Sequence, residues 1–170
     1  LRDDQAIIAL ADRVGPLDVL IHNAGIIGPP AHAADPVDPA AFLDVMAVNV
    51  LAPLRVTRAL LPNLRAAPMG RIMAISSQMA WMGYAKSDHI AYPDIKVALN
   101  KVIQGLATDL ASEGMIAVAV DPGWMRTDMG GPDADLDPAV VAEHLIALCG
   151  RLSLADSGTF LRADGSRRDW

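Results

Sequence analysis

The sequence predicts an α/β fold, a parallel sheet with helices on both faces. Two patterns predict it. Short apolar runs of strand length alternate with segments of helical periodicity. The strand candidates LDVLIHNAG (17–25), RIMAIS (71–76) and MIAVAV (115–120) are nearly all apolar, as strands covered on both faces must be.

In chain order, residues 3 to 14 place Ile7, Ile8, Leu10, Ala11 and Val14 near helical spacing, and Gly15 stops the helix. The strand at 17–25 follows. Asp38-Pro39 supplies an N-cap and a proline at the first helical position, opening a helix to about Val48. A further helix runs from about Pro53 to Leu64, with Pro62 in its last turn. After the strand at 71–76, a helix begins near Tyr92. Ile95, Leu99, Val102, Ile103, Leu106 and Leu110 line one of its faces, and Gly114 ends it. The strand at 115–120 is followed by a helix from Asp137-Pro138 to Gly150 and a last strand in GTFLRAD (158–164). The loops at 26–38, 78–91 and 123–137 are long, and in open α/β sheets such loops at the strand carboxyl ends hold the ligand sites.

The composition narrows the function classes. A chain of 170 residues, 52% hydrophobic and 20% charged, fits one domain over 1–170 with a real core. The net charge of −6 and the lack of any extended Lys/Arg cluster argue against a nucleic-acid or anionic-membrane surface. No uninterrupted apolar run reaches the length of a bilayer span, so no membrane partner is expected. Cys149 stands alone, which precludes an intrachain disulfide and fits a reducing cytoplasm. His22, His32, His89 and His144 are scattered without ligand spacing, so no metal site is expected. Met73, Met79 and Met82 are expected to fill core or pocket space.

The chemistry gathers at the predicted carboxyl edge. The first strand ends in Asn23-Ala24-Gly25, the second in Ser76-Ser77 and the third in Asp121-Pro122-Gly123. Tyr92 opens the helix after the second loop, and Lys96 lies one turn on along the same face. A free tyrosine has a pKa of about 10, too high for efficient proton exchange near neutrality. A nearby ammonium favours the phenolate, and a serine hydroxyl can hold the substrate oxygen. Tyrosine as acid/base, lysine as tuner and serine as positioner suit alcohol/carbonyl interconversion. No side chain supplies the hydride, so a nicotinamide cofactor is implied. Standing alone, the Tyr92/Lys96 pair is equally an ordinary helix start, and Ser76-Ser77 an ordinary strand end.

HNAG (22–25), VNVLAP (48–53), ISS (75–77), YPDIK (92–96), DPGWMRTDMGG (121–131) and SGTFLRADG (157–165) occur in this order along essentially the whole chain. In these motifs the chain resembles the short-chain dehydrogenase/reductase family, and within it the C-factor and sniffer group of small carbonyl reductases. The resemblance implies a Rossmann-type sheet and an oxidoreductase using NAD or NADP on a small-molecule carbonyl or alcohol. It implies a catalytic set of Asn49, Ser77, Tyr92 and Lys96. Asn49 would hold a water through its backbone carbonyl, Ser77 would bind the substrate carbonyl and Tyr92 would donate the proton. Lys96 would lower the Tyr92 pKa and bond the nicotinamide ribose. Asn23, Ala24 and Gly25 would line the ribose region, and Pro122, Gly123, Trp124 and Thr127 the nicotinamide. A homodimer pairing through the helices at 53–64 and 92–113 is also implied.

Several departures accompany the resemblance. His22 stands where the family usually has Asn, a change expected to cost hydrogen bonds in the sheet. Pro93-Asp94-Ile95 replaces small residues, and Asp94 would raise the Tyr92 pKa if it faced inward; helix geometry places it off that face. No G-x-G turn precedes HNAG. The expectation is therefore an N-terminally truncated fold whose first βαβ portion is missing, leaving the strand at 17–25 with an apolar open edge. The competing reading is a non-catalytic binding or scaffold protein that keeps the fold. A serine hydrolase is disfavoured, because no GxSxG elbow is present. Trp81, Met82, Trp124 and Met125 suggest an apolar substrate pocket.

Overall fold

The computed structural model describes residues 1–85 and 88–170. The expected loop at 78–91 therefore lies partly outside the described residues. Helix α1 (Asp4–Arg13) starts where Asp3 Oδ1 accepts the Gln5 and Ala6 amides at 2.9 and 3.2 Å. Strand β1 (Val19–His22) follows, then helix α2 (Pro39–Met46), capped by Asp38 Oδ1 on the Ala40 amide at 2.9 Å. Helix α3 (Ala52–Arg65), strand β2 (Arg71–Ile75), helix α4 (Ala91–Leu110) and strand β3 (Ile116–Asp121) come next. Helix α5 (Pro138–Arg151) is capped by Asp137 and precedes strands β4 (Phe160–Arg162) and β5 (Arg167–Arg168).

The strands form one sheet in the order β1-β2-β3-β4-β5. The first four are parallel, with Leu20 opposite Ile72 and Ile72 opposite Ala117. Alternate residues of β2 feed opposite faces. Ile72 and Ala74 join the layer of α2, α3 and α4, where Val45, Leu64, Ile95, Leu99 and Ile103 are buried. Met73 and Ile75 join the layer of α5, with Val118, Val120 and Leu148. Helices on both faces agree with the sequence expectation. A third cluster, Ile7 with Val56 and Leu60, seats α1 on α3.

The structure departs from the expected elements in two places. The break expected between Val48 and Pro53 is not a break. A π-helical turn (Ala47–Leu51), closed by the Ala52 amide on the Ala47 carbonyl, joins α2 to α3. Proline at position 53 donates no amide to the joined helix, and it falls directly after the π turn, where the regular bonding pattern is already interrupted. The joined helix, 27 residues from Pro39 to Arg65, is long and apolar enough to cross a membrane by length and composition, contrary to the scan for uninterrupted apolar runs. Here it packs against the sheet through Val45, Val50, Val56, Leu60 and Leu64, as a core helix does. The second departure is β5, a two-residue strand antiparallel to β4, which makes the sheet mixed rather than wholly parallel.

Candidate active site

A cavity of ≈ 380 Å³ opens at the carboxyl ends of β1, β2 and β3, within the range of small-molecule pockets. Ser77, Tyr92 and Lys96 all line it. The neighbouring serines have separate tasks. Ser76 is buried, and its hydroxyl donates to Asn100 Oδ1 at 2.6 Å, which ties β2 to α4. Ser77 faces the cavity beside Tyr92 and accepts the Met79 amide at 3.1 Å. The turn into α4 is strained: His89 adopts a φ of 53°, and its carbonyl accepts the Tyr92 amide at 2.7 Å.

Lys96 is 4% exposed, donates to the Ile75 carbonyl at 2.6 Å and lies 5.4 Å from the Tyr92 ring centroid. Burial pulls its pKa down to about 8. Tyr92 departs from expectation. Burial pushes its pKa above the ordinary phenol value; the Ser77 side chain opposes this, and the Asp121 carboxylate adds to it. The lowering expected from Lys96 is not among these causes, although its Nζ lies 5.4 Å from the ring centroid. Asp94 is exposed, as its helix position requires; the carboxylate that acts on Tyr92 is Asp121.

Asn49 lies in the π turn, 1% exposed, and does not line the cavity. Its side chain clasps the loop after β1, accepting the Ile26 amide and donating to the Ile26 carbonyl, both at 2.9 Å. That clasp holds Gly25 so close that a Cβ there would lie 3.4 Å from Asn49 Oδ1 and 3.7 Å from Lys96 Nζ. Asn23 and Gly25 line the cavity. Ala24 does not; it borders a smaller hollow on the open side of β1, with His22 and Val48. His22 keeps a hydrogen bond after all, through Nε2 to Thr57 Oγ1 at 2.8 Å, and burial lowers its pKa to about 4.

Pro122, Gly123, Trp124 and Thr127 line the opposite wall. Gly123 has a φ of 80°, which only glycine adopts easily, and its amide donates to Asp121 Oδ1 at 2.9 Å. Trp124 donates to the Gly130 carbonyl at 2.9 Å, and Thr127 Oγ1 accepts the Gly130 amide at 3.2 Å, folding the loop on itself. Of the anticipated apolar residues, Met79, Trp124 and Met125 line the cavity, whereas Trp81 and Met82 do not and Met82 is 75% exposed. Met73 lies in the core. Tyr84, Ile27 and Met129 also line the cavity and were not anticipated from the sequence. Among the described residues, no group of three or more His, Cys, Asp or Glu could hold a metal ion.

Residues 2–136 match the family model for short chain dehydrogenases. The C-signal of Myxococcus xanthus is 39% identical over 158 residues, an alignment covering 92% of this chain and 94% of that protein. A short chain dehydrogenase of Monascus ruber is 29% identical over 168 residues, of which the match covers 52% of the relative's length. Among solved structures, the carbonyl reductase Sniffer of D. melanogaster superposes with a TM-score of 0.94 at 29% identity, covering 99% of this chain and 75% of that one. The NADPH-bound carbonyl reductase from chicken fatty liver gives a TM-score of 0.88 at 28% identity, covering 99% and 74%.

Proposed function

The chain belongs to the short-chain dehydrogenase family, and we propose that it reduces a small, largely apolar ketone or aldehyde to an alcohol with NADH or NADPH. The observation that carries this reading is the convergence of Ser77, Tyr92 and Lys96 on one cavity with Pro122, Gly123 and Thr127 opposite. The cavity fits the nicotinamide and ribose end of the cofactor. Its floor is backbone at Gly25, its wall is the Pro122-Gly123 turn, and the cation of Lys96 lies between. Bound there, a nicotinamide supplies the hydride.

The residues of the chain do the rest. Ser77 donates a hydrogen bond to the substrate oxygen and orients it. Tyr92 passes its phenolic proton to that oxygen as negative charge develops on it. Tyr92 is protonated at neutral pH and can donate; its raised pKa makes it a weaker acid, which the Lys96 cation offsets as the proton leaves. Lys96, with a pKa of about 8, exchanges protons near neutrality and replenishes Tyr92. Asn49 holds the loop under the ribose and relays the proton outward through a water on its carbonyl. Ile27, Met79, Met125 and Met129 favour an apolar substrate body.

The proposal includes a cytoplasmic location and a homodimer through α3 and α4, which light scattering tests. A second reading, a non-catalytic member that acts by binding, has its own support. A relative matched over 94% of its length is named as a signal. Calorimetric titration with NADH and NADPH, followed by turnover of apolar ketones, separates the two. Saturable binding and turnover abolished by Tyr92→Phe support the reductase; no cofactor binding supports the second reading.

A further inference from the structure

The last strand reaches into the site. Register sets Arg168 opposite Phe160, and the Phe160–Trp170 stack, 5.9 Å between ring centroids, holds the chain end on β4. From there the Arg168 guanidinium crosses β4 to Asp121 on β3, with Nη2 to Oδ2 at 2.8 Å; the side chains are only 12% and 3% exposed. The other carboxylate oxygen, Oδ1, holds the Gly123 amide at 2.9 Å, so one carboxylate joins Arg168 to the turn that walls the cavity. The guanidinium carbon also lies 5.4 Å from the Trp81 ring, which belongs to the loop that leaves Ser77. Arg168 thus touches the loops that follow both β2 and β3 without lining the cavity itself.

We propose that Arg168 is a positioning residue of the active site, clamping the loop after β2 to the loop after β3 through Trp81 and Asp121. The physical need is plain. A buried carboxylate without its cation is strongly unfavourable, and its field would fall on the nearest proton donor. The proposal rests on Tyr92 being the proton donor, but its geometry and its test do not require turnover. Tyr92 shares the cavity with Lys96 on its own helix and Ser77 from the loop after β2, and the Asp121 carboxylate acts on it from β3. His89 and Asp88 stand in the turn before α4, and Asp94 points outward from it. Of these, Asp121 is the one that Arg168 holds in an ion pair at 2.8 Å among the described contacts.

The chain has two tyrosines, so 13Cζ-tyrosine NMR reports each phenol, with Tyr84→Phe giving the assignment. Arg168→Met should move the Tyr92 titration midpoint upward by half a pH unit or more, and Arg168→Lys should restore it. Asp121→Asn should move it downward, and the double variant should follow Asp121→Asn. Hydrogen exchange at pH 7 supplies the independent arm. Arg168→Met should speed exchange about tenfold in both 78–84 and 122–131, with Arg168→Lys protecting both. Unchanged exchange in either loop overturns the clamp, whatever the titration gives. Should Arg168→Met not fold, unchanged exchange at 122–131 in Asp121→Asn overturns the clamp. Loss of cofactor binding with these shifts intact would refute the reductase and leave the clamp standing.

Discussion

Replacing His22 with glutamine should flatten the acid side of the stability curve. His22 ends β1, bonds Thr57 Oγ1 at 2.8 Å and has its pKa lowered from 6.5 to about 4 by burial. Between those values the unfolded chain binds a proton that the folded chain refuses. Stability therefore stands in full above pH 6.5 and falls as the pH drops toward 4, by up to about 1.4 kcal/mol per pH unit. Integrated with these two pKa values, the loss between pH 7 and pH 5 comes to about 2 kcal/mol. Glutamine can donate to the same hydroxyl and does not titrate in this range. Urea unfolding followed by circular dichroism at pH 7, 6 and 5 compares the two proteins, and carboxylates titrate alike in both. The difference between the curves should reach about 2 kcal/mol at pH 5. Parallel curves would show that His22 is solvated and that burial of the β1 end has been misread.

Asn49→Leu should cost at least about 2 kcal/mol in urea unfolding, since it strands both the amide and the carbonyl of Ile26. Gly123→Ala should cost about 1–2 kcal/mol for its left-handed backbone. A Cβ 2.5 Å from Leu136 Cδ1 adds a clash, so pairing it with Leu136→Ala should recover the steric part in thermal melts. Lys96 should titrate near pH 8 by NMR of its side chain, and stability should rise from pH 8 toward 10.5, where only the unfolded chain keeps that proton. Lys96→Met should remove that rise.

The sheet was legible because burial on both faces leaves almost no polar residue in β2 or β3, and the Asp-Pro pairs mark two helix starts without ambiguity. Ser77 rather than Ser76 was legible only by motif, since both serines border the cavity and what sets them apart is that Asn100 occupies the Ser76 hydroxyl. Beyond the end of β1 no strand alternation holds: Asn23 borders both hollows, Gly25 the cavity and Ala24 the smaller hollow. Asp94 was rightly placed off the Tyr92 face by helix geometry, whereas the influence of Asp121, 29 positions away in sequence, carried no local signal. β5 is too short to carry a pattern, and its ion pair joins residues 47 positions apart, a distance no local signal spans.

The π turn at Ala47–Leu51 has a consequence for comparing this chain with any relative. An α-helix advances about 100° per residue, so one surplus residue rotates everything before it by nearly a third of a revolution relative to everything after it. Asn49 meets Ile26 only because that phase slip falls where it does. A gapless pairing of α2 and α3 with an unbroken helix would set the wrong residue opposite Asn49, while both flanks still looked correct. Shortening the turn by one codon would leave the helix intact and aim the asparagine elsewhere.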